Sequence, residues 1–145
     1  MVATRFAVAL HILLLLVGET EADATSGRLA ASIGTNPVVV RRIAGLLVRA
    51  GLIMVQRGPG GASLARPPDG ITLRDVWQAV HPPGQPLLRV HNRTNQEDPV
   101  GRRVPVLLRQ RFDQAELALL EDMGRTTLAD LAMGLRRAES LSVRG

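Results

Sequence analysis

Arginines dominate the part of the chain that could do chemistry. Between residues 25 and 68 there are six arginines and no aspartate or glutamate, and all 18 basic residues of the chain are arginine. A cationic stretch without carboxylates favours a polyanionic partner and offers no acid–base pair for catalysis. Within this stretch, Asn36 is followed closely by Arg41 and Arg42. Because asparagine can pair with adenine and arginine with guanine, the pattern predicts contact with the base edges of double-stranded DNA.

The candidate DNA-binding residues form three groups. The base readers are expected at the start of one helix: Asn36, Pro37, Val38, Val39, Arg41 and Arg42. The expected phosphate contacts are Thr25, Ser26, Arg28 and Arg49, with Arg5 as a further one. The residues expected along the backbone or minor groove are Arg57, Gly58, Pro59, Gly60 and Gly61. One of the paired arginines at 41 and 42 could hold phosphate instead of a base, and the sequence leaves open which.

A helix-turn-helix with a wing would position these groups. Asn36 can cap a helix that opens with Pro37, and the left-handed conformation that ends a helix suits Gly51. Residues 25–33, closed by Gly34, predict a shorter helix before it. Two short strands are expected at residues 52–57 and 62–65, on either side of the glycine-rich tip. In such a unit the second helix enters the major groove.

At 145 residues the chain is expected to form one domain with four consecutive parts. The winged helix-turn-helix should occupy residues 1–80 and close with a helix capped by Thr72 and Asp75, with Trp77 in its core. The remaining parts are an irregular connection (81–101), a long helix followed by a short one (102–138) and a tail (139–145).

The long helix carries the expected dimer interface. Its apolar residues recur at helical spacing over about 20 residues, and Pro105 should delay its start or kink it. Since the earlier segments already account for a small core, this stripe is better used against a second copy of the chain. The expected interface residues are Val104, Leu107, Leu108, Phe112, Ala115, Leu119 and Met123. Thr127 and Asp130 predict a capped last helix that ends near Arg137.

Catalytic and metal chemistry find little support in the sequence. The chain has no cysteine for a zinc thiolate site, disulfide or cysteine-held iron–sulfur cluster, and no lysine for a phosphate-binding loop. Its three histidines are not paired at helical ligand spacing. We therefore expect no enzyme activity, no metal and no cofactor. His91, Asn92 and Asn95 could line a pocket for an unknown small-molecule effector, or could form a hydrogen-bonded loop and nothing more.

The first 17 residues allow two interpretations. Arg5, the apolar run after it and then Ala22-Asp23-Ala24 resemble a secretory signal with its cleavage site. His11 interrupts that run, and the run is too short to span a membrane. We prefer a helix that packs beneath the helix-turn-helix, in a protein without a membrane partner. The absence of cysteine is compatible with a cytoplasmic location.

The order of several short motifs resembles the BadM/IscR-type winged-helix transcription regulators. The motifs are Arg5-Phe6-Ala7, Asn36-Pro37-Val38-Val39-Val40-Arg41-Arg42-Ile43, Arg57-Gly58-Pro59-Gly60-Gly61, Ile71-Thr72-Leu73-Arg74-Asp75-Val76 and Thr126-Thr127-Leu128-Ala129-Asp130-Leu131. The resemblance implies a homodimer formed by the long helix, with repression as the commoner outcome. Many such regulators hold an iron–sulfur cluster through three cysteines in the loop before that helix. Residues 88–101 contain none, so the chain looks like the cofactor-free branch.

Together these patterns predict a mainly α protein with a small β-hairpin wing (α+β), a winged helix-turn-helix followed by a long C-terminal dimerisation helix. Its expected function is sequence-specific transcriptional regulation, as a homodimer on a palindromic operator whose half-sites lie roughly 34 Å apart. Two alternatives stay open. One is a protein-interaction module that keeps the winged fold without specific DNA binding, and the other is a small-molecule sensor that acts through residues 81–101.

Overall fold

A computed structural model describes residues 2–18, 23–57 and 60–143. In these residues the elements follow in the order α1 (Val2–Gly18), α2 (Ser26–Ile33), α3 (Pro37–Arg49), β1 (Ile53–Val55), β2 (Ala62–Leu64), α4 (Leu73–Val80), α5 (Pro99–Met123) and α6 (Leu128–Val143). A single 3-10 turn at Pro68–Gly70 precedes α4. The predicted mainly α fold with a small hairpin wing is confirmed.

Helix α1 lies at the centre of the hydrophobic core. Ala9, Ile12 and Leu13 are fully buried and pack with apolar residues of the surrounding helices. His11 contacts α2, with its Nε2 atom 3.2 Å from Ser32 Oγ. The apolar run that resembles a secretory signal is therefore a core helix in this fold, while Ala22 of the proposed cleavage site lies outside the described residues.

Local caps set the bounds of α2 and α3; the Asn36 cap and the closing glycines were predicted, whereas the Thr25 cap was not. The side-chain oxygens of Thr25 and Asn36 each accept the backbone N–H three residues further on, at 3.3 and 3.0 Å. Pro37 occupies the first turn of α3. Gly34 ends α2 at φ 81°, and Gly51 turns the chain after α3 at φ 74°. Only glycine adopts this left-handed conformation without steric cost.

The wing is a two-stranded antiparallel hairpin that is attached to the start of α2. Ile53 pairs with Leu64 and Val55 pairs with Ala62. The Ala62 N–H also donates to the Ala24 carbonyl, at 3.0 Å. Because Ala24 stands two residues before α2, this bond fixes the wing beside the N-terminus of that helix.

Helix α4 opens with the predicted capping box. The Thr72 N–H donates to Asp75 Oδ2 at 2.9 Å, and the Asp75 N–H donates to Thr72 Oγ1 at 3.1 Å. Trp77 is buried, as expected, with the Phe6 ring edge-on at 5.3 Å and the His81 ring stacked at 4.7 Å. Helix α4 is thereby packed against α1.

After α5 the chain returns to the winged-helix body, which consists of α1–α4 and the hairpin. The Leu73 N–H donates to the Thr126 carbonyl at 3.0 Å, and the Leu128 N–H donates to the Ile71 carbonyl at 2.8 Å. Leu128 is buried in the core. The C-terminal end of α5 is therefore held to the residues around α4 by this pair of hydrogen bonds, whereas its N-terminal end is connected to them through residues 81–98.

The structure corrects the predicted bounds of the last two helices. Helix α5 begins at Pro99, where Asp98 Oδ2 accepts the Gly101 N–H at 2.8 Å, and it continues through Pro105. The cap thus sets the start, and the proline removes one internal hydrogen bond without delaying the helix. Helix α6 begins with the predicted Thr127–Asp130 capping box. It runs to Val143, so residues 139–143 are helical instead of a frayed tail.

Candidate nucleic-acid interface

Helix α3 buries one side and presents a cationic side to solvent. Val40, Ile43 and Leu47 are buried in the core. At 100° per residue, the opposite side carries five residues that we call the reading face: Val38, Arg41, Arg42, Gly45 and Arg49. Val38 is 55% exposed in the first turn. The reading face therefore combines three cations with one apolar side chain and no carboxylate.

The arginines of the reading face are held differently. Arg41 Nη1 donates to Ser26 Oγ at 3.3 Å, which draws its guanidinium towards α2. Arg49 Nε donates to the Gly45 carbonyl at 3.3 Å and so lies back along the helix. The Arg42 side chain is exposed and makes no hydrogen bond or ion pair with another residue in the described part of the chain. Of the three, Arg42 is the side chain whose donors all remain available to a ligand.

The first turn of α3 is less open than the sequence predicts. Asn36 is exposed, but its Oδ1 atom holds the helix cap. Pairing with adenine requires the amide oxygen and nitrogen together, and the cap fixes how that amide is turned. Val39 is half-buried and packs against the core, so its side chain points away from the reading face. Pro37 is half-buried in the same turn.

A groove joins the start of α2, the middle of α3 and the wing. Its volume is about 300 Å³, and its lining includes Thr25, Ser26, Arg41 and Gly60. Two predicted phosphate contacts thus lie in the same groove as a predicted base reader and a wing residue. Thr25 is exposed, but its hydroxyl also caps α2. Arg28 is exposed in the first turn of α2.

Two residues that line this groove, Val55 and Gln56, were not among the predicted DNA contacts. Val55 is apolar yet 54% exposed, because the end of β1 extends beyond the core. Gln56 is exposed and lies close to Gly60, where an added Cβ atom would be 2.7 Å from the Gln56 Cβ atom. A neutral residue at a strand end carries no sequence signal for such a position.

The remaining predicted DNA contacts are placed in different ways. Arg57 is exposed at the end of β1, whereas Gly61 is buried. Gly58 and Pro59 of the wing tip lie outside the described residues. Arg5 Nη1 donates to the Val80 carbonyl at 3.2 Å, so this guanidinium caps the C-terminus of α4 and is not brought to the groove.

Helix α5 and the loop before it hold the other predicted site residues. No residue of the 25-residue helix α5 is buried. Its predicted stripe is exposed at Leu107 and Ala115 and half-buried at the remaining positions, among them Leu119, which approaches Trp77. The half-buried positions are Val104, Leu108, Phe112, Leu119 and Met123. His91 and Asn92 line a cavity against α5, whereas Asn95 turns its Oδ1 atom to the Glu97 N–H at 3.0 Å.

No helix in the described ranges is long and apolar enough to cross a membrane.

Comparison with known proteins identifies the same architecture. The model of the Rrf2 family, described as iron-dependent transcriptional regulators, matches residues 2–134. YwnA of Bacillus subtilis (strain 168), named as an HTH-type transcriptional regulator, is 35% identical over 131 residues, which cover 90% of this chain and 96% of YwnA.

Two solved structures share the fold. One is a Lactobacillus plantarum protein described as a transcriptional regulator, with 25% identity and a TM-score of 0.76 over 91% of this chain and 89% of that one. The other is CymR (YrzC), the global cysteine regulator of B. subtilis, with 25% identity and a TM-score of 0.63 over 90% of this chain and 94% of CymR.

The residues present do not fit the iron of the family description. The chain has no cysteine, and the described residues contain no cluster of three or more His, Cys, Asp or Glu side chains that could hold a metal ion. The geometry of the reading face and the hairpin wing indicates a winged-helix DNA-binding protein. The matches along nearly the whole chain indicate the same class of protein. The chain belongs to the Rrf2 family of transcriptional regulators, in its cysteine-free branch.

Proposed function

We propose that the protein is a homodimeric repressor that binds a palindromic operator without an iron–sulfur cluster. The observation that carries this proposal is the reading face of α3. Its exposed cations lie directly opposite its buried side, so the packing that builds the core also turns Arg42 and Val38 outwards. An α-helix of this kind fits the major groove, where arginine pairs with guanine and a valine methyl contacts thymine.

The groove between α2, α3 and the wing supports the mode of docking. Phosphate contacts fix the register of a protein on the duplex, and base contacts then read the sequence. Thr25 and Ser26 lie at the N-terminus of α2, where backbone N–H groups and the helix dipole favour an anion. Arg28 adds a cation to the same turn. Arg57 is placed on the wing to follow a second stretch of backbone.

Helix α5 supports the homodimer. A helix of 25 residues is about 37 Å long. No residue of this helix is fully buried in its own chain, and its stripe is exposed or half-buried throughout, so the stripe keeps apolar surface that the identical stripe of a second copy can cover. Two such copies present two reading faces, as a palindromic site requires.

Occupation of an operator that overlaps a promoter excludes polymerase, which is the basis for proposing repression. The DNA partner and the bacterial relatives support the cytoplasm as the place of action.

Selection of bound fragments from random duplex DNA tests the function. We expect enrichment of one inverted repeat, and tight binding of that repeat in fluorescence anisotropy, with a scrambled duplex of the same composition as control. The logarithm of the affinity should fall steeply and linearly with the logarithm of salt concentration, because phosphate contacts release counterions. Equal affinity for the selected and scrambled duplexes would refute sequence-specific binding and favour the interaction module.

A further inference from the structure

We propose that the protein binds a small organic carboxylate with an aliphatic body between residues 88–96 and helix α5. We call residues 88–96 the arch. This site lies apart from the DNA interface, and the proposal does not depend on operator binding. It rests on an anchored loop, a cavity beneath that loop and one guanidinium without a counter-charge.

The first end of the arch is fixed to α5 through both backbone groups of one residue, Leu88. The Leu88 N–H donates to Glu116 Oε1 at 2.7 Å, and Arg109 Nη1 donates to the Leu88 carbonyl at 2.7 Å. Arg109 also pairs with Asp113 at 2.8 Å and with Glu116 at 3.7 Å. Its charge is therefore already compensated by two carboxylates.

The second end of the arch packs closely on the first turn of α5. The Asn95 carbonyl oxygen lies 2.6 Å from the position that a Cβ atom would take at Gly101. No larger residue fits there without movement of the backbone, so glycine allows this approach. The arch is thus attached to α5 at both ends, and its middle stands away from the helix.

The space beneath the arch is a cavity of about 750 Å³. This volume falls within the usual range for sites that bind small molecules. Its aliphatic lining comes from Val90, Pro105 and Val106, and its charged lining comes from Arg102, Arg109 and Asp113. The rest of the lining is polar and uncharged or histidine: His91, Asn92, Thr94, Gln96 and Gln110. A cavity that combines apolar surface with such polar groups matches a ligand that has an apolar body and one polar end.

Arg102 indicates that the polar end of the ligand is negatively charged. The only hydrogen bond of its guanidinium among the described residues is a long one, from Nη1 to the Gln96 carbonyl at 3.5 Å. Arg109 pairs with Asp113 and Glu116, so Arg102 is the lining cation without a carboxylate at ion-pair distance among the described residues. A guanidinium binds a carboxylate through two parallel hydrogen bonds. An aliphatic carboxylate therefore satisfies Arg102 while its chain covers Val106 and Pro105.

Dimer formation leaves this cavity accessible. At 100° per residue, the cavity-lining residues of α5 are centred roughly a third of a turn from the stripe proposed for the interface. Leu107 and Ala115 lie on the stripe, whereas Arg102 and Val106 lie on the cavity side. A second copy that covers the stripe would not fill the space beneath the arch.

Titration of the full chain without DNA tests the site. The probes are butanoate, hexanoate and octanoate, with hexanamide as the uncharged match, followed by backbone amide resonances in NMR. We expect hexanoate to shift the resonances of residues 90–96 and 102–113, and hexanamide to leave them unchanged. Arg102→Gln should weaken hexanoate binding by about tenfold or more, since it removes a charge-assisted bond. Arg103→Gln, its exposed neighbour outside the cavity, should stay within about twofold of the parent.

A second pair of variants tests the same cation without removing it. Glutamate at position 106 stands four residues after Arg102 and can pair with it, so Val106→Glu should also abolish hexanoate binding. Leu117→Glu makes the same chemical change at an exposed position of α5 outside the cavity and should bind normally. Failure of all three acids to bind, equal binding of hexanoate and hexanamide, or equal losses in the matched controls would each overturn the proposal. None of these results depends on whether the protein recognises an operator.

Discussion

Arg41 and Arg42 are neighbours in sequence that have different surroundings in the fold. Arg41 is engaged by Ser26 at the start of α2, which orients it towards the groove where phosphate contacts are expected. The Arg42 side chain extends from the middle of the reading face and has no hydrogen-bond or ion-pair partner in the described part of the chain. Sequence reasoning could not separate the two, because the difference comes from packing of α2 against α3. We therefore propose Arg42 as the base reader.

Replacement of Arg42 tests that assignment. Arg42→Ala should cost about 1–3 kcal/mol of binding free energy on the selected operator and should relax preference at one base position. Arg28→Ala should instead weaken binding to all duplexes alike, since a phosphate contact carries no base information. Anisotropy with the operator and its single-base variants measures both effects. If both variants lost affinity uniformly across these duplexes, Arg42 would not be a base reader.

Gly45 gives a second prediction at this scale. Its helical conformation accepts any residue, and an added Cβ atom would meet only Arg49 Nη2, at 3.5 Å. Gly45→Ala should therefore stabilise the protein by about 1 kcal/mol in thermal unfolding, because alanine is the better helix former. The same methyl group stands at the centre of the reading face and should lower operator affinity. Higher stability with unchanged affinity would show that α3 does not approach DNA closely at this position.

At the scale of the elements, the start of α5 contains two opposing sequence signals, one for a helix start and one for a helix break. Asp98 and Pro99 are a helix start, whereas Pro105 is a helix breaker six residues later, and sequence alone does not rank the two. The structure shows that the cap sets the start and that the helix continues through the proline. The arch helps to hold that first turn, through the close contact at Gly101.

The predicted interface of α5 can be tested by charge. Leu108→Asp places a carboxylate in the apolar stripe, where a partner helix would have to bury it without a counter-charge. We expect the dimer mass in sedimentation equilibrium to fall to the monomer mass. Leu117→Asp, at a position of α5 that is 64% exposed and off the stripe, should leave the dimer intact. A Leu108→Asp protein that remained dimeric would exclude the stripe from the interface.

For the whole molecule, the sequence predicted those features of the fold that depend on residues close together in the chain. Side-chain caps at Asn36 and Thr72, left-handed glycines and apolar periodicity are local features, and the helices and wing followed from them. The contact between Ala62 and Ala24 carries no such signal, because it joins backbone groups far apart in sequence. The same limit applies to the site: the charge on α3 was evident, but the inward turn of Val39 and the capping of α4 by Arg5 depend on tertiary packing.

The return of the chain at Thr126 has a consequence for the spacing of operators. A winged-helix body attached to α5 by one flexible joint could rotate to follow displaced half-sites, but here hydrogen bonds at Thr126 and Leu128 hold the C-terminal end of α5 to that body. One extra base pair at the centre of the inverted repeat turns the second half-site by about 35° and moves it about 3.4 Å away. We expect affinity for that lengthened repeat to drop to the level of an isolated half-site, as measured by anisotropy. The distance between the two reading faces of the dimer would then be fixed, so the dimer would not bind both half-sites of a repeat with the wrong separation.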